Sequence, residues 1–346
     1  GPWKLLLSVT DTSSAAFTEI LDTYQQLGDT LLLLLQPREL FSYDAHMAKV
    51  LSGIYKDVLE FHLQAFKYFQ QPTIRFEFPT SGRWLFDKPE FKRWFDTFPP
   101  IPGLLWLNGT PGAGKTILSS LVIDEARGLA RKPTVLYFYC KSNDKERDNF
   151  ISIACSLLIQ LLEQSPGLVD FFYEKYNVST EAMLTTIPDI EGLLDIAIRN
   201  CTSVCTILDG LDKCPRDQRK TISQWFRSLV EDLLPAKSDP VRCLFVSQDD
   251  GIVRKDFFGI TSLKIMPEDN QKDISQYCTR WASKLQDRFE LSDDERVEIA
   301  ARVPESCRGM ILLARLTCEN LFEQATYDDL ELELEPITFL KGINDA

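Results

Sequence analysis

The chain has 346 residues, 44% of them hydrophobic and 26% charged, with a formal net charge of −13, enough apolar material for two or three domains of ordinary soluble type. The acid excess is concentrated late, with 9 Lys and Arg against 18 Asp and Glu from Pro267 onward. No basic stripe offsets it, which argues against nucleic acid as a ligand, because binding a phosphate backbone needs clustered positive charge.

Residues 1–72 read as an N-terminal helical module. Thr12, Ser13 and Ser14 offer N-caps. Leu51, Ile54, Tyr55, Val58, His62, Ala65, Phe66 and Phe69 recur at helical spacing, with Lys56, Asp57, Glu60, Gln64 and Lys67 on the other face. Such a helix either packs on its own domain or docks a partner; His62 reads as a packed core histidine. The apolar run Leu31–Leu35 is far short of the ~20 residues that span a bilayer. With no signal-peptide pattern, a cytoplasmic protein without a membrane span is expected.

Residues 73–103 read as a linker and pre-P-loop segment, with a short helix over Lys88–Phe95 and punctuation by Pro99, Pro100, Pro102 and Gly103. From Leu104 strand and helix patterns alternate. Strands are expected at Leu104–Asn108, Thr134–Cys140, Val204–Asp209, Val241–Ser247 and Ser262–Ile265. Helices are expected near Lys115–Leu129, Asn149–Glu163, Ile190–Asn200 and Asp217–Glu231. The strands are almost continuous apolar runs, as expected of a parallel α/β sheet with helices on both faces. Residues 104–266 therefore read as a five-stranded P-loop domain. Residues 267–346 read as a helical domain, with helices at Asn270–Phe289, Ser292–Val303 and Arg308–Phe322 and a capping box at Ser292 and Glu295.

Chemistry concentrates at Gly109-Thr110-Pro111-Gly112-Ala113-Gly114-Lys115-Thr116, which fits G-x-x-x-x-G-K-[ST] between an apolar strand and a helical pattern. The glycines let the backbone wrap and turn its N–H groups onto an anion. The helix that starts near Lys115 and runs through Ile117 aims its positive end at phosphate. Lys115 adds a charge for the β- and γ-phosphates, and the Thr116 hydroxyl suits Mg²⁺. The run Val204–Asp209 is a buried strand ending in an acid, so Asp209 is the second expected Mg²⁺ ligand. Asp212 either orients an attacking water or caps the next helix. At the end of the fourth strand, Ser247 or Gln248 either senses the terminal phosphate or belongs to a plain turn. Trp84 either stacks on the base or packs in the core.

Nine cysteines, several inside apolar runs (Cys140, Cys205, Cys243), read as buried free thiols in a reducing compartment. Cys201 and Cys205 stand close in sequence, but the chain has only His46 and His62 to join them, so a zinc site is not expected. The Asn-x-Thr sequon at Asn108 reads as chance.

The runs LLWLNGTPGAGKT (104–116), DGLDKC (209–214) and VSQDDG (246–251) resemble fungal STAND NTPases with a NACHT domain, of the nephrocystin-3-like type. The later runs SLKIMPEDN (262–270), RGMILLA (308–314) and LELELEP (330–336) resemble that family's helical domain, and IYKDVLEFH (54–62) its preceding module. The resemblance implies a switch that is closed with ADP and opened by ATP, with GTP binders among its members. Opening leads to self-oligomerisation and recruitment of an effector, with innate-immunity or incompatibility-type cell death as output. Trigger and effector are not encoded legibly. The chain departs from the family at Lys213, where a second acid is usual, at Gln248, where arginine is frequent, and at Met310-Ile311, which lacks the proline of the family's loop. These departures bear on hydrolysis and base contact and leave the phosphate cradle intact. The expectation is secure nucleotide binding between the P-loop and the helices after Pro267, at a domain boundary, with slow hydrolysis and adenine preferred to guanine; the alternative is a hydrolysis-deficient scaffold. A metabolic P-loop kinase is disfavoured, because no second substrate site is evident. Arg147, Arg216 and Arg254 are equivalent candidates for an arginine offered to a neighbouring copy.

Overall fold

A computed structural model of the chain describes residues 81–96, 103–142, 144–165, 187–233 and 241–334. All of them lie in one compact unit, Gln70–Ala346. The module expected over residues 1–72 lies outside the described residues.

Five parallel strands form one sheet: β1 Leu104–Asn108, β2 Thr134–Tyr139, β3 Val204–Asp209, β4 Arg242–Ser247 and β5 Thr261–Lys264, in the spatial order β2-β3-β4-β1-β5. The strand that carries the P-loop and the strand that ends in Asp209 are therefore separated by β4, which pairs Asn108 with Ser247 on one side and Val246 with Asp209 on the other. That register brings the ends of all three strands to one edge, where an α/β sheet presents its ligand-facing loops.

Alternate residues of β1 to β4 enter opposite cores, whereas β5 buries only Leu263. Leu105 and Leu107 of β1 pack with Ile207, Leu244 and Val246 under α1 (Pro89–Phe95) and α2 (Lys115–Gly128). Leu104 and Trp106 face the other way, joining Leu208 and Phe245 under α3 (Phe150–Gln164), α4 (Ile187–Asn200) and α5 (Arg216–Leu233). Burial on both faces explains the unbroken apolar runs, each large side chain contributing roughly 1.5–3 kcal/mol.

Two polar devices tie helices to this sheet. β2 is an edge strand, and α3 covers it with glutamines. The Gln160 amide accepts from Tyr137 N (3.0 Å) and donates to Tyr137 O (2.8 Å), while Gln164 does the same for Val135 at 3.2 and 3.0 Å. The edge backbone at Val135 and Tyr137 is thus satisfied within the chain. On the opposite face Arg242 is 1% exposed, and its Nη1 donates to the carbonyls of Trp94 (2.9 Å) and Phe95. These are the last carbonyls of α1, which lack helical donors and carry partial negative charge.

After the short α6 (Ile252–Asp256) and β5 come α7 (Pro267–Phe289), α8 (Asp293–Ser306), α9 (Ile311–Glu323) and α10 (Tyr327–Leu334), with a core of their own around Ile274, Tyr277, Val303 and Leu321. Helix α7 starts three residues before the sequence pattern suggested. Pro267 occupies its first turn, where the missing N–H costs nothing. Helix α10 adds a fourth described helix to the three expected. Ser292 caps α8 as expected: its hydroxyl accepts from Glu295 N (3.3 Å), and Ser292 N donates back to Glu295 Oε2 (2.8 Å). Among the described residues no helix is long and apolar enough to cross a membrane.

Candidate functional site

The turn between β1 and α2 is built on two left-handed glycines, Gly112 (φ 72°) and Gly114 (φ 82°). With Gly114 as N-cap, α2 begins at Lys115. Its unpaired first-turn N–H groups and the positive end of its dipole face the edge of the sheet. Gly109 and Ala113 are buried, Thr110 and Pro111 are exposed, and Ala113 N donates to Thr110 O at 3.3 Å to tighten the loop.

Lys115 folds back over this loop. Its ammonium donates to Gly109 O (2.9 Å) and Thr110 O (2.8 Å). Burial pulls its pKa below the usual lysine range, against the attraction of Asp212 and Asp209. One residue on, the Thr116 hydroxyl donates to Asp209 Oδ2 at 2.7 Å. Asp209 is 4% exposed; burial raises its pKa, and the Thr116 bond with the charges of Lys213 and Lys115 opposes that rise.

Past Asp209 the chain turns at Gly210 (φ 78°) into the 3-10 turn Leu211–Lys213. Asp212 Oδ1 accepts from Gln248 N at 2.9 Å, joining the loop after β3 to the loop after β4. Pro111, Gly112, Gly114, Lys115, Thr116 and Ile117 form one wall of a cavity of ≈ 350 Å³, with Asp209, Asp212, Lys213 and Gln248 on another, a volume in the range of small-molecule sites.

Of the two candidates at the end of β4, Gln248 lines this cavity, whereas Ser247 points away and accepts from Trp106 Nε1 at 2.8 Å. Trp84 is not among the lining residues. It packs against the core under α1 and α2, with Lys88 Nζ 5.6 Å from its ring centroid. Arg147, Arg216 and Arg254 each form an ion pair within the chain, with Asp144, Asp256 and Asp249. Asn108 is 1% exposed and donates to Ser262 Oγ at 2.7 Å, a position no glycan reaches.

The third wall comes from the helical segment, where the sequence placed the site without giving the residues that form it. Ile311, Leu312 and Arg315 of α9 line the cavity. Leu312 N donates to Gly112 O at 3.1 Å. Asn270 of α7, 2% exposed, donates through Nδ2 to Ala113 O (3.0 Å) and Gly309 O (2.9 Å). Gly309 (φ 78°) permits this contact: a Cβ there would fall 2.4 Å from Pro267 Cα. An isolated glycine at Gly309 after the last polar turn, and a lone Asn in an amphipathic helix, were the signals available.

A family model described as "Nephrocystin 3, N-terminal" matches residues 80–248. The chain is 27% identical over 143 residues to the vegetative incompatibility protein HET-E-1 of Podospora anserina, a match over 39% of this chain and 10% of that protein. It thus spans about a tenth of the curated relative's length. Among solved structures, a Walker-type ATPase of Pyrococcus abyssi is similar at 15% identity and TM-score 0.43, over 77% of this chain and 76% of that one. Cdc6p from Pyrobaculum aerophilum is similar at 15% identity and TM-score 0.39, over 66% and 56%.

Proposed function

We propose that this chain, which its family match and fungal relative support as a nucleotide-binding NTPase of the NACHT/STAND type, is a molecular switch that binds ATP or ADP with Mg²⁺ and hydrolyses ATP slowly. Lys115 and the backbone N–H groups of residues 112–116 hold the phosphate tail. The residues present fit the ion. Thr116 and Asp209 offer a hydroxyl and a carboxylate, the hard oxygen donors Mg²⁺ takes, and they already stand in hydrogen-bond contact. When bound, the ion offsets charge on the phosphate oxygens. Gln248 and Asp212, bonded to each other, form the wall nearest the terminal phosphate. Adenine is the preferred base, with GTP the competing ligand.

The observation that carries the switch reading is the hold of the helical segment on the loop. Gly112 O and Ala113 O, at the centre of the P-loop, are bonded to α9 and α7. A loop that adjusts to a diphosphate or a triphosphate therefore biases the helices, and their displacement is the step that exposes surfaces for self-oligomerisation and effector recruitment. The curated relative is named for vegetative incompatibility; by that likeness the output is incompatibility-type cell death or innate immunity, in the cytoplasm.

One observation favours the scaffold alternative: Asp212 commits Oδ1 to Gln248 N, which takes one oxygen of the candidate water-orienting carboxylate. Incubating the purified protein with Mg-ATP and following ADP decides. Conversion below ~1 s⁻¹, the low end of enzyme turnover, supports the switch. ATP recovered intact supports the scaffold, and faster turnover contradicts both.

A further inference from the structure

The cavity contains a second lysine that the reading above leaves without a role. Lys213 closes the 3-10 turn after β3, its N–H donating to Gly210 O at 2.9 Å. Its side chain runs back along that turn instead of outward. Cδ and Nζ lie 3.2 and 3.3 Å from the point where a Cβ on Gly210 would sit. Gly210 follows Asp209 directly, so the ammonium stands beside the acid end of β3, on the cavity wall that faces Lys115.

Both lysines line the cavity that holds the Thr116–Asp209 pair, and both charges act on Asp209. Lys115 is anchored to Gly109 O and Thr110 O, whereas Lys213 forms no salt bridge with a described carboxylate. Lys115 and Lys213 stand in the cavity with Asp209 and Asp212, and Arg315 there is paired with Glu319 at 2.8 Å. A lysine ammonium binds phosphate as a point charge without demanding one geometry.

We propose that Lys213 is a phosphate-binding residue, an internal cation that takes over part of the charge neutralisation a divalent ion provides, so that nucleotide binding here depends only weakly on Mg²⁺. The inference rests on the nucleotide reading above and adds to it a residue and a metal dependence that reading does not require. Because the ammonium sits on the Asp209 side of the cavity, its effect is larger for a triphosphate than for a diphosphate.

The test is the affinity of fluorescent ATP and ADP analogues, read by anisotropy in Mg²⁺ and in EDTA, for the wild type, Lys213→Ala and Lys213→Arg. Thermal unfolding of each variant checks that it is folded. In EDTA the wild type keeps its ATP-analogue affinity within about tenfold of the Mg²⁺ value, and Lys213→Ala loses at least about another tenfold, as expected for one charge-assisted bond. Lys213→Arg restores most of it. An equal Mg²⁺ dependence in wild type and Lys213→Ala overturns the proposal, as does a wild type that binds in Mg²⁺ and not in EDTA. A lysine that only steadies Asp209 would lower the unfolding temperature and leave the ratio unchanged, which also counts against it. Loss of binding by the wild type in both conditions would overturn the nucleotide reading itself.

Discussion

The Thr116 hydroxyl donates to Asp209 Oδ2 across 2.7 Å, joining the first turn of α2 to the last residue of β3. The two residues are 93 positions apart in sequence and are brought together because β4 lies between β1 and β3. Replacing Thr116 with Val, or Asp209 with Asn, is expected to change the stability of the free protein by only about 1 kcal/mol, the net worth of one such bond. The gain in nucleotide affinity on adding Mg²⁺ is expected to be lost in both variants. Calorimetric titration of ADP with and without Mg²⁺ measures it, and an unchanged Mg²⁺ response in either variant contradicts the assignment of these residues to the ion.

The contact of Gly309 with Pro267 predicts a large cost for the smallest substitution. Gly309→Ala places a methyl 2.4 Å from Pro267 Cα at a φ of 78°. The left-handed backbone alone costs roughly 1–3 kcal/mol in a non-glycine residue, and the overlap with backbone adds to that. Urea unfolding should show a loss of at least about 2 kcal/mol. Hydrogen exchange should also accelerate at Leu312 N, the donor to Gly112 O. A change under about 0.5 kcal/mol, the usual range for an innocuous surface site, would mean that the loop over the P-loop yields freely.

The strands, the P-loop and the acid at the end of β3 were legible because each is a local pattern. Burial on both faces makes β1, β3 and β4 continuous apolar runs, and the P-loop needs glycine, lysine and threonine at fixed offsets. Strand order was not legible, since β3 could as well have paired with β1 as with β4. That the helices after Pro267 close the site was expected, but the residues that do so were hidden for a different reason: Ile311 and Leu312 look like any core residues of an amphipathic helix until the fold sets them on Gly114 and Gly112. Ser247 and Gln248 were inseparable in sequence, and strand alternation sends one to Trp106 and the other to the cavity. Nothing local announces the role of Arg242 in its apolar strand, because the carbonyls it serves lie 147 and 148 residues away.

The buried pair Arg219–Asp256 gives a prediction away from the cavity. Arg219 Nε and Nη2 donate to Asp256 Oδ2 at 3.0 and 2.8 Å, with side chains only 5% and 1% exposed. Asp256→Ala leaves the guanidinium buried without its carboxylate and should cost about 3–5 kcal/mol, read from chemical denaturation. Arg219→Met with Asp256→Leu should recover most of the loss, since an apolar pair of similar size is often neutral. A double variant no better than Asp256→Ala contradicts this account.

Glu295 links two helices through a pH-dependent bond. Bonds from Ser292, then from the Tyr327 hydroxyl, lower its pKa from 4.5 to about 2, and the same bond raises Tyr327 to about 12. Because the folded value lies below the unfolded one, this contribution to stability is fully present above about 4.5 and is lost as pH falls through about 2. A carboxyl NMR titration should give a midpoint near 2 in the wild type and a higher one in Tyr327→Phe. A wild-type midpoint in the ordinary glutamate range would contradict the bonded arrangement.

If the loop from Gly109 to Thr116 holds the phosphates of a nucleotide, nucleotide must stabilise the fold against heat. Nucleotide-stripped protein and Lys115→Ala are each melted alone and with Mg-ADP, Mg-ATP or Mg-GTP. A ligand at 100 times its Kd stabilises the fold by about 2.7 kcal/mol, a shift of about 5 °C or more for a unit of this size. That shift is expected for an adenine nucleotide in the wild type, and its loss in Lys115→Ala. No shift with any nucleotide, or an equal shift in the variant, would contradict it.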